Sequence, residues 1–115
     1  MSEISQRPWG SYTVFADEKT FKLKRIDVNP LQKLSLQSHA KRDELWAIVG
    51  GTGIVVLDGL EIPVSYGKTI DIHAGQKHRI INTSETILTF IEVQTGTYFG
   101  EDDIVRFEDD YGRIE

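Results

Sequence analysis

Three potential metal ligands lie close together in the chain, between residues 37 and 44. Gln37 and His39 are two residues apart, and Glu44 follows His39 by five. Because residues two apart on an extended strand point to the same face, Gln37 and His39 can aim at one point, and Glu44 can return to it from the next strand after a turn. An amide, an imidazole and a carboxylate form most of a divalent-metal site, so a fourth ligand is expected elsewhere in the chain.

His78 is the candidate for the fourth ligand, because it begins a predicted strand directly after a glycine-containing turn. With His78 the set offers two nitrogen and two oxygen donors, which suits zinc but also manganese, iron, cobalt or nickel. We expect one divalent ion, with zinc as the first choice, because the affinity order places zinc above manganese and ferrous iron. Gln37 is the weakest donor, and an amide there could instead make only a hydrogen bond.

Further ionisable side chains could act on a substrate bound beside the metal. Glu92 interrupts an otherwise apolar strand. It is therefore either a hydrogen-bonded core residue or a general base with a raised pKa. Lys33 shares strand parity with the ligands at 37–39, so we group it with Glu92 as a catalytic candidate that could contact a phosphate; a solvated lysine is the alternative. Lys24 and Arg25 offer further contacts for an anionic substrate.

The scaffold that must position these residues is built from strands. The sequence alternates about nine short strands with turns and has no convincing helix before residue 100, which is typical of an all-β sandwich or barrel. A β-bulge is expected after Arg25, and residues 1–8 are expected to be loose. The spacing of Ile104 and Phe107 predicts a short helix within residues 100–111. The predicted strands are 9–15, 21–28, 33–39, 44–49, 54–57, 60–64, 69–72, 78–81 and 87–93.

Composition excludes several classes of function. The chain has 115 residues, of which 39% are hydrophobic, so we expect one domain with a small core. Its formal net charge is -5, and seven acids lie in residues 98–115, where they are expected to form a solvated face. No basic patch favours nucleic acid, and the absence of cysteine excludes disulfides and thiolate zinc sites. No apolar run predicts a signal or a membrane span, so a cytoplasmic location is expected.

Two stretches of the chain resemble the two motifs of the cupin superfamily. In the first, Gln37 stands where the first histidine is usual, and in the second, His73 stands where proline is usual. The residues that fit the motifs are His39, Glu44, Gly51, Gly67, Gly75, His78 and Asn82. The resemblance implies an all-β cupin fold, a double-stranded β-helix or jelly-roll barrel. It also implies that Gln37, His39, Glu44 and His78 are the metal ligands.

A narrower resemblance is to the C-terminal domain of type II mannose-6-phosphate isomerases, often fused behind a mannose-1-phosphate guanylyltransferase domain. It is carried by the sequence at residues 7–12, 34–37, 77–79 and 100–113. It implies a single cupin domain over 1–115, with a core of about 20–95 on which strand 9–15 and tail 98–113 pack. It also adds Arg79 to the substrate-binding candidates, although on a regular strand Arg79 would point away from the face of His78.

The resemblance implies a metal-dependent aldose–ketose isomerase that interconverts mannose 6-phosphate and fructose 6-phosphate by 1,2 proton transfer. The transferase part is absent from this chain, so only the isomerase activity is expected. The partner is then a small sugar phosphate, and many cupins form homodimers, which we expect here by analogy. The family usually has histidines where this chain has Ala40, Lys41 and Leu45. The alternatives are therefore a non-catalytic module that binds sugar phosphate, or another small-molecule enzyme of the cupin class.

Overall fold

Two antiparallel β-sheets build the protein in the computed structural model, which describes residues 3–112. The strands are Ile4–Arg7 (β1), Gly10–Asp17 (β2), Phe21–Val28 (β3), Leu36–Ser38 (β4), Arg42–Gly50 (β5), Gly53–Leu57 (β6), Leu60–Val64 (β7), Thr69–Ile72 (β8), His78–Ile81 (β9), Leu88–Gly96 (β10) and Val105–Glu108 (β11). The larger sheet has the order β1-β2-β3-β10-β5-β8, and the smaller has the order β11-β4-β9-β6-β7. The predicted all-β fold is therefore confirmed.

The two ends of the chain differ from the sequence-based expectation. Residues 4–7, expected to be loose, pair with β2 as an edge strand. The helix predicted within residues 100–111 is wrong, because residues 105–108 form β11 and pair with β4. A segment this short gains little from forming a helix, whereas the edge of β4 offers unpaired backbone groups. Within residues 3–112 no helix is long and apolar enough to cross a membrane.

The inner face of the larger sheet changes from apolar to polar along its length. On β10, Leu88 and Phe90 are fully buried among core residues, and the next two inward side chains are Glu92 and Gln94, which are also buried. On each strand the inward side chains recur at every second residue. The inward residues of the neighbouring strands show the same change from apolar to polar. The apolar end forms the hydrophobic core, and the polar end lines a cavity.

Strand β3 contributes lysines to that polar end. Its inward residues are Lys22, Lys24, Ile26 and Val28, in unbroken alternation. The bulge expected after Arg25 is therefore not needed on this strand; the register shift lies on the partner strand β2, between residues 14 and 16. The lysines, which a solvent-exposed face would usually carry, are instead enclosed within the fold.

Candidate metal centre

His39, Glu44 and His78 converge at the polar end of the fold, and all three are buried. His39 follows β4, Glu44 lies on β5 in the opposite sheet, and His78 begins β9. One potential ligand atom from each lies within 4.8 Å of the others. The Glu44 carboxylate oxygens lie 3.3 Å from His39 Nε2 and 4.0 Å from His78 Nε2. Residues 39 apart in sequence are thus brought to one point by the two facing sheets.

Backbone carbonyls orient both imidazole rings. His39 Nδ1 lies 2.7 Å from the carbonyl oxygen of Asp103, and His78 Nδ1 lies 3.0 Å from that of Gln76. A carbonyl oxygen can only accept, so each Nδ1 carries the hydrogen and donates it. The lone pair of each ring is therefore on Nε2, the atom that faces Glu44. Such carbonyl partners are the usual support for metal-binding histidines.

Burial and nearby charge keep these groups in the forms that bind cations. Burial lowers the pKa of His39 to about 4, against the opposing effect of Glu44, and burial also lowers the pKa of His78. Burial alone would raise the pKa of Glu44, but electrostatic interaction with the neighbouring His39, Arg42 and His78 outweighs it as the pH falls and brings the pKa to about 2. At neutral pH the site therefore offers two neutral imidazoles and one carboxylate.

Arg42 is a site residue that sequence reasoning missed. Its guanidinium is buried, with Nε donating to Glu44 Oε2 at 2.8 Å and a terminal nitrogen 3.2 Å from His39 Nε2. Trp46 donates from the other side, from Nε1 to Glu44 Oε1 at 2.9 Å. Both residues lie two positions from Glu44 on β5, so strand parity was the signal that could have found them. Together they hold the carboxylate in one orientation.

The donor set fits a divalent cation. Two imidazole nitrogens with free lone pairs and an ionised carboxylate are ligands that zinc and related metals take. Gln37 pairs with His78 across β4 and β9 and lines the same cavity, where its amide oxygen is the atom it could offer. A cation on His39 Nε2 would take the lone pair that faces Arg42, so Arg42 would keep its bond to Glu44 and lose its contact with His39.

Residues 1–109 match the protein family described as Mannose-6-phosphate isomerase C-terminal. The chain belongs to this family. It is 45% identical over 107 residues to xanthan biosynthesis protein XanB of Xanthomonas campestris pv. campestris (strain B100), covering 93% of this chain and 23% of that protein. It is 41% identical over 108 residues to mannose-1-phosphate guanylyltransferase ManC of Salmonella typhimurium, covering 94% and 22%. The chain thus spans less than a quarter of these relatives.

Solved structures support the cupin fold of this isomerase-family chain. Capsular polysaccharide assembling protein CapF of Staphylococcus aureus superposes with a TM-score of 0.83 at 20% identity, over 94% of this chain and 34% of that one. A Klebsiella pneumoniae protein with a double-stranded β-helix domain superposes with a TM-score of 0.74 at 16% identity, over 84% and 83%. At these identities the likeness shows the fold alone, and the predicted cupin architecture is confirmed.

The cavity beside the metal-site candidates contains two more of the predicted residues, Glu92 and Lys24. Glu92 is buried and accepts a hydrogen bond from the Gln94 amide. Burial, together with the charge of Glu44, raises the pKa of Glu92 to about 7, although Lys24 acts against this. Lys24 is also buried, and its Nζ lies 2.7 Å from a carboxylate oxygen of Glu101.

Three of the predicted site residues lie outside this cavity in the described part of the chain. Arg25 is on the outer face of β3, where it pairs with Asp27 at 3.0 Å. Arg79 donates to the Leu34 carbonyl at 3.0 Å, on the side that strand parity indicated, and it is not among the residues that line the cavity. Lys33 pairs with Asp110 at 3.1 Å. Its predicted parity fails because residues 34 and 35 are both buried, so this segment does not alternate as a strand would.

Proposed function

We propose that this protein is a metal-dependent aldose–ketose isomerase that interconverts mannose 6-phosphate and fructose 6-phosphate by 1,2 proton transfer. The observation that carries the proposal is a shared cavity: the His39–Glu44–His78 group, the carboxyl of Glu92 and the ammonium of Lys24 all line it. The family to which the chain belongs supports the choice of substrate. Because the relatives are about four times longer, their activities come to this chain only as part of this proposal.

Gln37, His39, Glu44 and His78 would hold one divalent ion, zinc first among the candidates, with manganese, iron, cobalt and nickel as alternatives. A divalent ion held there would supply Lewis-acid polarisation of the substrate oxygens at C1 and C2. Arg42 holds the Glu44 carboxylate from one side and places a fixed positive charge inside the cavity. That charge favours the enediolate that forms between aldose and ketose.

Glu92 is the residue that would move the proton. As a carboxylate it would take the proton from C2 of the aldose and return it to C1, while the hydroxyl proton on the C2 oxygen passes to the C1 oxygen. Together the two transfers give the ketose and leave Glu92 unchanged. A base works best when its pKa lies near the working pH, and burial brings the pKa of Glu92 to about 7. The hydrogen bond from Gln94 fixes the orientation of the carboxyl. Glu44 would be occupied by the metal and would not serve this role.

Lys24 would hold the phosphate. Its ammonium lies 2.7 Å from Glu101, and the Lys22 ammonium lies 3.5 Å from the same carboxylate oxygen. Two ammonium groups thus face one carboxylate, and the remaining positive charge suits a phosphate dianion. The Tyr12 ring, 4.2 Å from Lys24 Nζ, forms one wall of the cavity on this side. A phosphate here would compete with Glu101 for Lys24.

The non-catalytic alternative is weakened by where the altered family positions lie. Ala40, Lys41 and Leu45 are all exposed, and they are not among the described residues that line the cavity. The replacement of histidine at these positions therefore leaves the cavity wall intact. A non-catalytic module that binds sugar phosphate, or another cupin enzyme that acts on small molecules, is the outcome if turnover is absent while ligand binding is retained.

The decisive experiment measures formation of fructose 6-phosphate from mannose 6-phosphate after loading with zinc or manganese. We expect turnover by the wild type, none by His39→Ala, and unchanged turnover by His73→Ala. His73 is a suitable control because its side chain is exposed on a loop. Activity that survives His39→Ala would refute the metal-dependent mechanism. Binding of metal and mannose 6-phosphate without turnover would support the non-catalytic alternative.

The expected setting of this reaction is also part of the proposal. A small sugar phosphate is the partner, and neither nucleic acid nor a membrane is expected to take part. A cytoplasmic location is expected as well, in line with a relative described as a mannose-1-phosphate guanylyltransferase. A homodimer stays a prediction; the outer face of the larger sheet, where Leu45 and Val49 are exposed, is the surface on which we would expect it. Analytical ultracentrifugation would measure the mass directly.

A further inference from the structure

We propose that Asp103 is a positioning residue that sets the metal affinity of the site by fixing both the ring of His39 and the backbone that follows it. The inference rests on the metal site of the proposed function. Sequence reasoning assigned the acids of the tail to a solvated face, and Asp103 is instead 64 residues from His39 in sequence and in direct contact with it. The segment 99–103, here named the strap, carries Asp103 across the polar end of the fold.

The first contact fixes the imidazole. The Asp103 carbonyl oxygen lies 2.7 Å from His39 Nδ1 and accepts its hydrogen. This bond selects the tautomer with the lone pair on Nε2, the atom 3.3 Å from Glu44. In the other tautomer the hydrogen would be on Nε2, and the ring could not bind a cation at that atom. The strap therefore decides which nitrogen of His39 is available.

The second contact fixes the chain next to His39. The two carboxylate oxygens of Asp103 accept hydrogen bonds from the backbone amides of Ala40 and Lys41, at 3.0 Å and 2.9 Å. These amides belong to the turn that joins His39 to β5, the strand that carries Glu44. One residue thus ties together the ring and the turn, so the distance between two of the proposed ligands depends on it.

The strap is itself anchored at the cavity. The Phe99 carbonyl accepts a hydrogen bond from Lys22 Nζ at 3.2 Å, and Glu101 pairs with Lys24 at 2.7 Å. The Asp103 amide donates to the Gly100 carbonyl at 3.2 Å, which closes a turn within the strap. Because the lysines hold the strap at Phe99 and Glu101 and the turn holds Asp103 to Gly100, the Asp103 carbonyl has little freedom to move away from His39. The bonds from the Asp103 carboxylate to the Ala40 and Lys41 amides are a further constraint, and their removal would loosen the carbonyl.

The test compares Asp103→Ala with Asp102→Ala by calorimetric titration of zinc. Loss of a group that orients a metal ligand typically lowers affinity 10- to 100-fold, so we expect Asp103→Ala to weaken zinc binding by about tenfold or more. Asp102 is the matched control, because its carboxylate is exposed and contacts the Tyr98 hydroxyl rather than the site. We expect Asp102→Ala to stay within about twofold of the wild type, and Asp103→Asn to fall between the two.

A second measurement needs no metal. Nitrogen-15 NMR of the metal-free protein at neutral pH distinguishes the two tautomers of His39. We expect the wild type to carry its hydrogen on Nδ1 and Asp103→Ala to show a mixture of both forms. A wild type that binds no zinc would defeat the proposed function, and the tautomer comparison would still decide the role of Asp103. If Asp103→Ala does not fold, both measurements pass to Asp103→Asn.

Two results would overturn the inference. The first is an Asp103→Ala protein that keeps both the wild-type tautomer and the wild-type zinc affinity. The second is an Asp102→Ala protein that loses as much zinc affinity as Asp103→Ala, since that would show a general effect of tail charge. A lowered zinc affinity together with a changed tautomer, confined to the Asp103 variants, would support it.

Discussion

The buried carboxyl of Glu92 gives the sharpest test of this structure, through the substitution Glu92→Gln. Glu92 lies between β3 and β5, directly opposite Lys24 and Trp46. Burial and the charge of Glu44 raise its pKa from 4.5 to about 7. In the unfolded chain the same carboxyl is exposed to water and titrates near its ordinary value. The free energy of unfolding must therefore depend on pH through this one group.

The sign and the size of the effect follow from the two pKa values. Between pH 4.5 and about 7 the folded protein keeps the proton of Glu92 while the unfolded chain releases it. Raising the pH across this window therefore favours the unfolded state, and the loss is complete once the pH exceeds the folded pKa. A change of one pKa unit corresponds to 1.36 kcal/mol, so Glu92 removes about 3 kcal/mol of stability across the window. Glutamine does not titrate, so Glu92→Gln lacks this dependence.

The assay is urea denaturation of the metal-free wild type and Glu92→Gln at several pH values from about 5 to 8. We expect the stability of the wild type relative to Glu92→Gln to fall by about 3 kcal/mol as the pH rises. Glu101→Gln is a control: burial of Glu101 raises its pKa, but Lys24 outweighs this and lowers the pKa below 4.5, so wild-type stability relative to Glu101→Gln should stay nearly constant over this pH range. A stability difference between wild type and Glu92→Gln that does not change with pH would refute the reasoning.

Two further predictions concern the anion contact and the rigidity of the fold. Glu101→Gln should bind inorganic phosphate roughly tenfold more tightly than the wild type, because the Glu101 carboxylate no longer competes for Lys24. Lys24→Met should bind phosphate more weakly than the wild type. Calorimetry would measure both affinities, and affinities equal to that of the wild type would contradict the proposed phosphate contact. Asn82→Ala should lower the free energy of unfolding by about 2 kcal/mol in urea titrations, because the buried Asn82 amide nitrogen donates to three backbone carbonyls. An unchanged urea midpoint would show that water replaces the amide.

The strands were largely predictable, because alternation and turn residues are local properties. Each of the nine predicted strands has a counterpart in the structure, with β3 matching residues 21–28 and β9 matching residues 78–81. The Asp58-Gly59 pair, a dipeptide typical of hairpin turns, joins β6 and β7, and both residues have the positive φ that such turns require. The edge strands β1 and β11 were not predictable, since their formation depends on a neighbouring strand edge rather than on their own sequence.

The site was predictable in part for the same reason. His39 and Glu44 lie within one motif, and His78 stands in a second motif that the sequence also marks. Arg42 was missed because an arginine near a ligand is usually solvated, and only its position on the inner face of β5 shows that it is buried against Glu44. Asp103 was missed because nothing local connects it to His39.

The sequence by itself determined the strands, the turns and the donor types at residues 37, 39, 44 and 78, because each depends on a few neighbouring residues. The tertiary structure decided which charges are enclosed. Lys24, Arg42 and Glu92 face the cavity, while Arg25, Lys33 and Arg79 pair elsewhere. The physical reason is that the cost of burying a charge depends on the partners that the two sheets and the strap bring to it, and those partners come from distant parts of the chain.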